Sequence, residues 1–176
     1  MKRYLVLWFG MTLVFSVTFA LAAEEETGQT GESQAQQPGD PGYAQVSDDD
    51  KQMDRAVENA QKSLGFFMAV LRAGQSGDAA FEIKKAFVDG DKVEQIWIRG
   101  VSYDGKKFHG QIDNKPRDVK NVDLGERVTV QPQEVTDWMF LKDGKLMGGY
   151  TTRVLYARLS PEDKAQFDRE SNFQIK

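Results

Sequence analysis

The sequence predicts an α+β domain: a twisted antiparallel sheet of about five to six strands, with a long N-terminal helix and one or two short C-terminal helices. Three observations predict it. Apolar residues between Met53 and Leu71 recur at helical spacing. From Phe81 to Met147 the pattern changes to alternation, interrupted by Asp-Gly turns. Helix-start signals then return at Ser160-Pro161. Consecutive strands joined by short turns pair antiparallel, and helices segregated to the two ends complete the class.

The first helix is expected to begin near Ser47, a residue able to cap free backbone N–H groups, with Asp48, Asp49 and Asp50 in the first turn where the helix dipole favours carboxylates. Met53, Ala56, Val57, Ala60, Leu64, Phe67, Met68 and Leu71 then draw one stripe, and Gly74 and Gly77 close it. Such a stripe suits a helix that covers its own domain's sheet, although it also suits docking to another protein.

The strands follow in order. Phe81, Ile83 and Phe87 alternate with Glu82, Lys84 and Ala86 up to the turn Asp89-Gly90-Asp91-Lys92. Val93 to Tyr103 is rich in β-branched and aromatic residues, with Val93, Trp97, Val101 and Tyr103 on one face and Ile96 and Ile98 on the other. Apolar residues on both faces mark a central strand. Asp104-Gly105 signals a hairpin into Phe108, Gly110 and Ile112, and Asn114-Lys115-Pro116 ends that strand. A turn at Leu124-Gly125-Glu126-Arg127 leads to Val128 and Val130, which Pro132 interrupts. Asp137 to Leu141 is the next strand, paired through Asp143-Gly144 with Lys145 to Met147. Gly148-Gly149 releases the chain into a short helix over Tyr150 to Leu159, and Ser160-Pro161-Glu162-Asp163 starts a last one running to about Arg169.

Ahead of the domain, Lys2 and Arg3 precede an uncharged run from Tyr4 to Phe19, and Ala20-Leu21-Ala22 offers small residues before Ala23. Residues 1–22 therefore read as a secretory signal peptide cleaved after Ala22. The alternative is an uncleaved membrane anchor, because the apolar run approaches the roughly 20 residues that span a bilayer. Residues 23–46 hold five acids, no base, and mostly Gly, Gln, Pro, Ser and Thr, the composition of a disordered acidic linker. Residues 47–176 form a single α+β domain. Loss of Lys2 and Arg3 moves the formal charge from −4 to −6, and the part from Ser47 onward carries only −1. That near-neutral balance lacks the basic footprint of nucleic-acid binding.

Several chemistries are excluded by count. The chain has no Cys and one His, so it has no disulfide framework, thiol nucleophile, lipid-anchoring Cys or multi-histidine metal site. No metal and no cofactor are expected. No Ser stands in a Gly-x-Ser-x-Gly setting. Gly148-Gly149 lacks the further glycines and Lys of a phosphate loop. His109 has no recognisable orienting partner at useful spacing and reads as a surface residue. Glu94 and Trp97, three apart in one strand, point to opposite faces. Asp137 can pair with Glu94 or Glu134 as a carboxylate acid and base, or can accept backbone hydrogen bonds at a turn. Asn114, before Lys115-Pro116, fits a turn.

Five fragments, taken in order, resemble the YegJ-like domain of unknown function. They are Glu94-Gln95-Ile96-Trp97-Ile98, Phe108-His109-Gly110-Gln111-Ile112-Asp113-Asn114-Lys115-Pro116, Gly125-Glu126-Arg127-Val128, Asp137-Trp138-Met139 and Gly148-Gly149-Tyr150-Thr151. The resemblance covers roughly residues 79–167 and leaves the leading helix and linker outside. It implies a compact bacterial domain, sometimes exported, and no reaction.

The leading expectation is a non-enzymatic exported domain that binds an envelope protein or cell-wall component. Its candidate binding residues are Trp97, Asn114, Asp137, Trp138 and Tyr150, on the ground that exposed aromatics beside a few polar groups make hot spots. The alternatives are a small hydrolase of cell-wall material, with Glu94 and Asp137 as acid and base, and a structural domain on a membrane anchor.

Overall fold

The computed structural model describes residues 4–7, 43–46, 50–74, 80–171, 173 and 175. Most of the expected signal peptide and linker, and the expected cap Ser47, lie outside these. Helix α1 runs Lys51–Arg72, and its cap is Asp50, whose Oδ1 accepts from the backbone N–H groups of Gln52 (3.1 Å) and Met53 (3.2 Å). The acid expected in the first turn thus does the capping. Met53, Ala56, Ala60, Leu64 and Phe67 form the buried face, as their spacing predicts. That stripe faces the protein's own sheet.

Two short strands precede α1, β1 (Tyr4–Leu7) and β2 (Tyr43–Val46), paired antiparallel. The last four residues of the expected linker are therefore extended and paired. The main strands are β3 (Glu82–Asp89), β4 (Lys92–Tyr103), β5 (Phe108–Ile112), β6 (Arg127–Val130), β7 (Val135–Lys142) and β8 (Lys145–Gly148). These six are antiparallel in the order β6-β5-β4-β3-β7-β8, and β1 lies parallel to Val93–Gln95 of β4. Helices α2 (Tyr150–Arg158) and α3 (Pro161–Glu170) close the chain, α3 capped by Ser160 as expected.

The core lies between α1 and one face of the sheet. Ile83, Ile96, Ile98, Phe108, Trp138 and Phe140 meet Ala60, Leu64 and Phe67 there, with the Phe67 and Trp138 rings 5.3 Å apart. One expected face is corrected. Gly100 adopts φ +61 where the β4–β5 register shifts between Arg99 and Ser102, a bulge that flips the strand. Val101 therefore joins Ile96 and Ile98 in the core, and the Tyr103 ring lies tilted against Phe108 with centres 4.7 Å apart, while Trp97 stays on the other face.

After β8 the chain turns sharply. Gly148 and Gly149 both have positive φ, and a Cβ on Gly148 would stand 2.2 Å from the Trp138 carbonyl oxygen. Only glycine fits there. The Arg158 guanidinium at the end of α2 pairs with both carboxylate oxygens of Asp50 and with Gln52 Oε1 (3.0 Å), tying α2 to the start of α1.

Candidate functional site

The face of the sheet away from α1 is not a plain solvent face. Glu82 and Lys84 point there from β3, opposite Arg99 and Trp97 of β4 on one side and Met139 and Asp137 of β7 on the other. Strand alternation places all six side chains together. Lys84 is 1 % exposed and Asp137 fully buried. The Lys84 ammonium donates to Thr151 Oγ1 (2.7 Å), and Thr151 in turn donates to Asp137 Oδ2 (2.6 Å). The same ammonium sits 4.4 Å from the centre of the Trp97 ring, a cation–π contact that helps replace lost water.

Asp137 also accepts from the backbone N–H groups of Trp138 (2.8 Å), Tyr150 (3.1 Å) and Thr151 (2.8 Å). It is the N-terminal cap that Gly149, without a side chain, cannot supply to α2. Burial pushes the Asp137 carboxyl up, opposed by Lys84 and these donors. Burial pulls Lys84 down to about 8, opposed by Asp137 and Glu82.

Further along the same face, burial pushes Glu82 up to about 8, with the Asp113 charge adding and Arg99 and Lys84 opposing. Its Oε2 is buried without a hydrogen-bond partner. Arg99 Nε binds Asp113 Oδ1 at 3.2 Å, and burial raises the Asp113 carboxyl. The next residue, Asn114, has a buried Nδ2 that also lacks a partner.

The residues singled out by sequence separate. Trp97 and Asp137 lie on this face on either side of Lys84, and Tyr150 donates its backbone N–H to Asp137. Trp138 faces the other way, 2 % exposed beneath α1, its indole N–H donating to the Ala60 carbonyl (3.0 Å). The half-buried Tyr150 ring meets it edge-on at 5.7 Å. Trp97, Asp137 and Trp138 are thus not the exposed residues that the hot-spot reasoning assumed. Large aromatics in strands bring more apolar area to a core than to a surface.

Glu94 and Asp137 are on opposite faces. Glu94 pairs in register with Phe87 of the core face, and its carboxylate accepts from the backbone N–H groups of Arg117 (3.0 Å), Asp118 (3.0 Å) and Val119 (3.3 Å). Both acids are engaged by backbone donors, so they cannot flank one scissile bond. Glu134 instead pairs with Lys85 at 2.7 Å. His109 does have partners, Asp104 Oδ2 at 2.9 Å and Thr129 Oγ1 at 3.2 Å. They come from the hairpin turn and from the neighbouring strand β6, so spacing along the chain hides them. The His109 hydrogen bond holds the exposed Asp104 carboxyl well below the usual range.

Sequence reasoning missed Glu82, Lys84, Thr151 and the Arg99–Asp113 pair. Alternation sets Glu82 and Lys84 opposite Phe81, Ile83 and Phe87 but does not say what covers them. The available signal was Trp97, whose face must be covered because so large an apolar ring is rarely left in water. Among the described residues no group of three or more His, Asp or Glu is placed to hold a metal. Among them, too, no helix is long and apolar enough to cross a membrane.

Fold and site together define a small α+β domain with one helix-covered apolar face and one face organised around buried ions. The chain belongs to the family described as "Uncharacterized protein conserved in bacteria (DUF2314)", which matches residues 50–175 and so takes in α1 as well as the sheet. The YegJ-like resemblance is correct, and it extends further than its motifs indicated. The chain is 29% identical to the uncharacterized protein YegJ of Escherichia coli over 129 residues, 69% of this chain and 83% of that protein. It is 30% identical to the putative ankyrin repeat protein NMB1133/NMB1171 of Neisseria meningitidis over 139 residues, 74% of this chain. It spans about half, 54%, of that relative's length. No solved structure matches.

Proposed function

We propose that the protein is an exported, non-enzymatic binding domain of the bacterial cell envelope. One observation carries the binding reading: Glu82 Oε2 and Asn114 Nδ2 are buried without partners at the end of the sheet that holds the Arg99–Asp113 pair. An unsatisfied buried polar atom costs about 1–3 kcal/mol, which a ligand supplying the missing donor and acceptor recovers on binding. Hydroxyl- and amide-rich cell-wall fragments, or the backbone of an envelope protein, have that chemistry. Export is supported by Lys2-Arg3, the apolar run behind them and the small residues at Ala20 and Ala22. Binding is favoured over hydrolysis because the two candidate carboxylates face opposite ways.

The test is to express the tagged chain from its own leader, weigh it, and pass native envelope extract and wall fragments over it. The expected product has lost residues 1–22 and retains an envelope component. Retention falls at least tenfold in Glu82→Gln and Asn114→Ala variants that melt no lower than the wild type. A full-length mass removes the export reading. A bait that retains nothing removes the binding reading.

A further inference from the structure

One flank of β4 is completed by a strand that the expected leader supplies. β4 is 12 residues long, but β5 pairs with it only between Ile98 and Tyr103. Ahead of that, the Trp97 carbonyl accepts from the Asp113 N–H (3.0 Å), and Val93 to Gln95 pair with β1. With β1 in place Val93, Glu94 and Gln95 are each less than a tenth exposed. The β8 edge of the sheet is closed in another way. There the Arg153 guanidinium donates to the carbonyls of Leu146 (2.6 Å) and Gly148 (2.9 Å), which blunts that edge against an incoming strand.

Cleavage after Ala22 takes β1, Tyr4–Leu7, away from the protein. It leaves two strand edges with backbone groups in need of partners, β2 and the Val93–Gln95 stretch of β4. These stand on either side of the vacated place, two strand spacings or roughly 9–10 Å apart. β2 runs antiparallel to β1, and β1 runs parallel to β4, so β2 already runs antiparallel to β4. Only three residues separate Val46 from Asp50, the cap of α1, so β2 stays tethered beside the sheet at high effective concentration. We infer that in the processed protein β2 takes the place of β1 and pairs directly with β4. A sideways move of one strand spacing, about 4.8 Å, sets Val46 opposite Val93, Gln45 opposite Glu94 and Ala44 opposite Gln95. All pairs of the resulting sheet are antiparallel, the slightly more stable arrangement. The last residues of the linker thus become an edge strand of the mature domain. The exchange rests on the export reading for its occurrence in the cell, but it is tested separately.

The chain has no Cys, so an engineered pair reports cleanly. The full chain is made with a protease site after Ala22 and with Val46→Cys/Val93→Cys or Ala44→Cys/Gln95→Cys, then oxidised in a glutathione buffer before and after the cut. A disulfide needs Cα atoms about 4.4–6.8 Å apart, so the cut chain is expected to cross-link within itself at least about tenfold faster than the uncut one. The pair Gln45→Cys/Val93→Cys, which the new register sets on opposite faces, does not cross-link. In the chain without Cys, the N–H groups of Val93 to Gln95 that point away from β3 stay protected from hydrogen exchange after the cut. Loss of that protection overturns the inference, and this measurement decides the matter if either Cys pair prevents folding. Equal cross-linking before and after the cut overturns it, as does cross-linking of the mismatched pair, which makes β2 a loose tether. Cross-links between two chains also overturn it, by making a second copy the occupant. A full-length mass for the chain exported from its own leader removes the export reading alone, because the protease cut tests the exchange regardless.

Discussion

Asp137 serves two structures at once, as the cap of α2 and as the counter-charge that reaches Lys84 through Thr151. Removing it leaves a buried ammonium uncompensated and the first N–H groups of α2 without an acceptor. Asp137→Ala is therefore expected to cost about 3–5 kcal/mol by urea denaturation, and Asp137→Asn less, because its amide oxygen still accepts. Glu82 makes the opposite kind of statement. Its carboxyl, about 8 in the fold against 4.5 unfolded, keeps its proton where the unfolded chain has lost it. Its contribution to stability is complete below pH 4.5 and declines until about pH 8. Lys84, about 8 against 10.5, contributes a loss as pH falls from 10.5 to about 8. Together the two give this cluster its lowest stability near pH 8. Glu82→Gln should flatten the slope between pH 4.5 and 8 and raise stability at pH 8 on the order of 1–3 kcal/mol, as read from denaturation midpoints across that range. Of these residues, Asp137 was legible in the sequence as an acceptor for backbone donors at a turn. Lys84 was not, because the hydroxyl that receives it lies 67 positions further on.

At the scale of elements, turns decide more than strands do. The Asp-Gly and Gly-Gly turns, the Ser-Pro helix start and the apolar stripe of α1 were all legible, because each is set by residues no more than four or five positions from the next. The bulge at Gly100 was not, since alternation read straight through it assigns Val101 and Tyr103 to the wrong face. Gly148 provides a test. Alanine there must place its Cβ against the Trp138 carbonyl at positive φ, whereas at Gly90, also at positive φ, a Cβ meets open space. Gly148→Ala should cost more than about 3 kcal/mol and Gly90→Ala about 1 kcal/mol, compared by thermal melting of the two variants. Glu94 controls a loop in the same manner that Asp137 controls a helix. Glu94→Ala frees three backbone donors, and the expected result is faster amide exchange at Arg117, Asp118 and Val119 with a loss of about 2–3 kcal/mol.

For the whole molecule, composition and periodicity carried the α+β class, since helices at the ends and short turns between strands leave few alternatives. The order of the strands was hidden. It depends on β7 crossing the sheet to pair with β3, a choice made by Trp138 and Phe140 finding Phe67 rather than by any local signal. The same long reach hid the candidate site, whose polar residues come from β3, β4, the segment after β5, β7 and α2 and meet only when the sheet is complete.

That placement of β3 sets the order in which the protein assembles. The β3–β4–β5 meander and the β7–β8 hairpin are each joined by short turns and can form without one another, but Ile83 and Trp138, paired across β3 and β7, are 55 positions apart. Closing so long a loop is slow compared with closing a hairpin, so the seam between β3 and β7 knits after the meander and the hairpin that it joins. Pulse-labelled hydrogen exchange during refolding should find β4 amides protected while those of β7 that face β3 still exchange. Until that seam closes Lys84 has no Asp137, and the folding chain keeps this lysine in water.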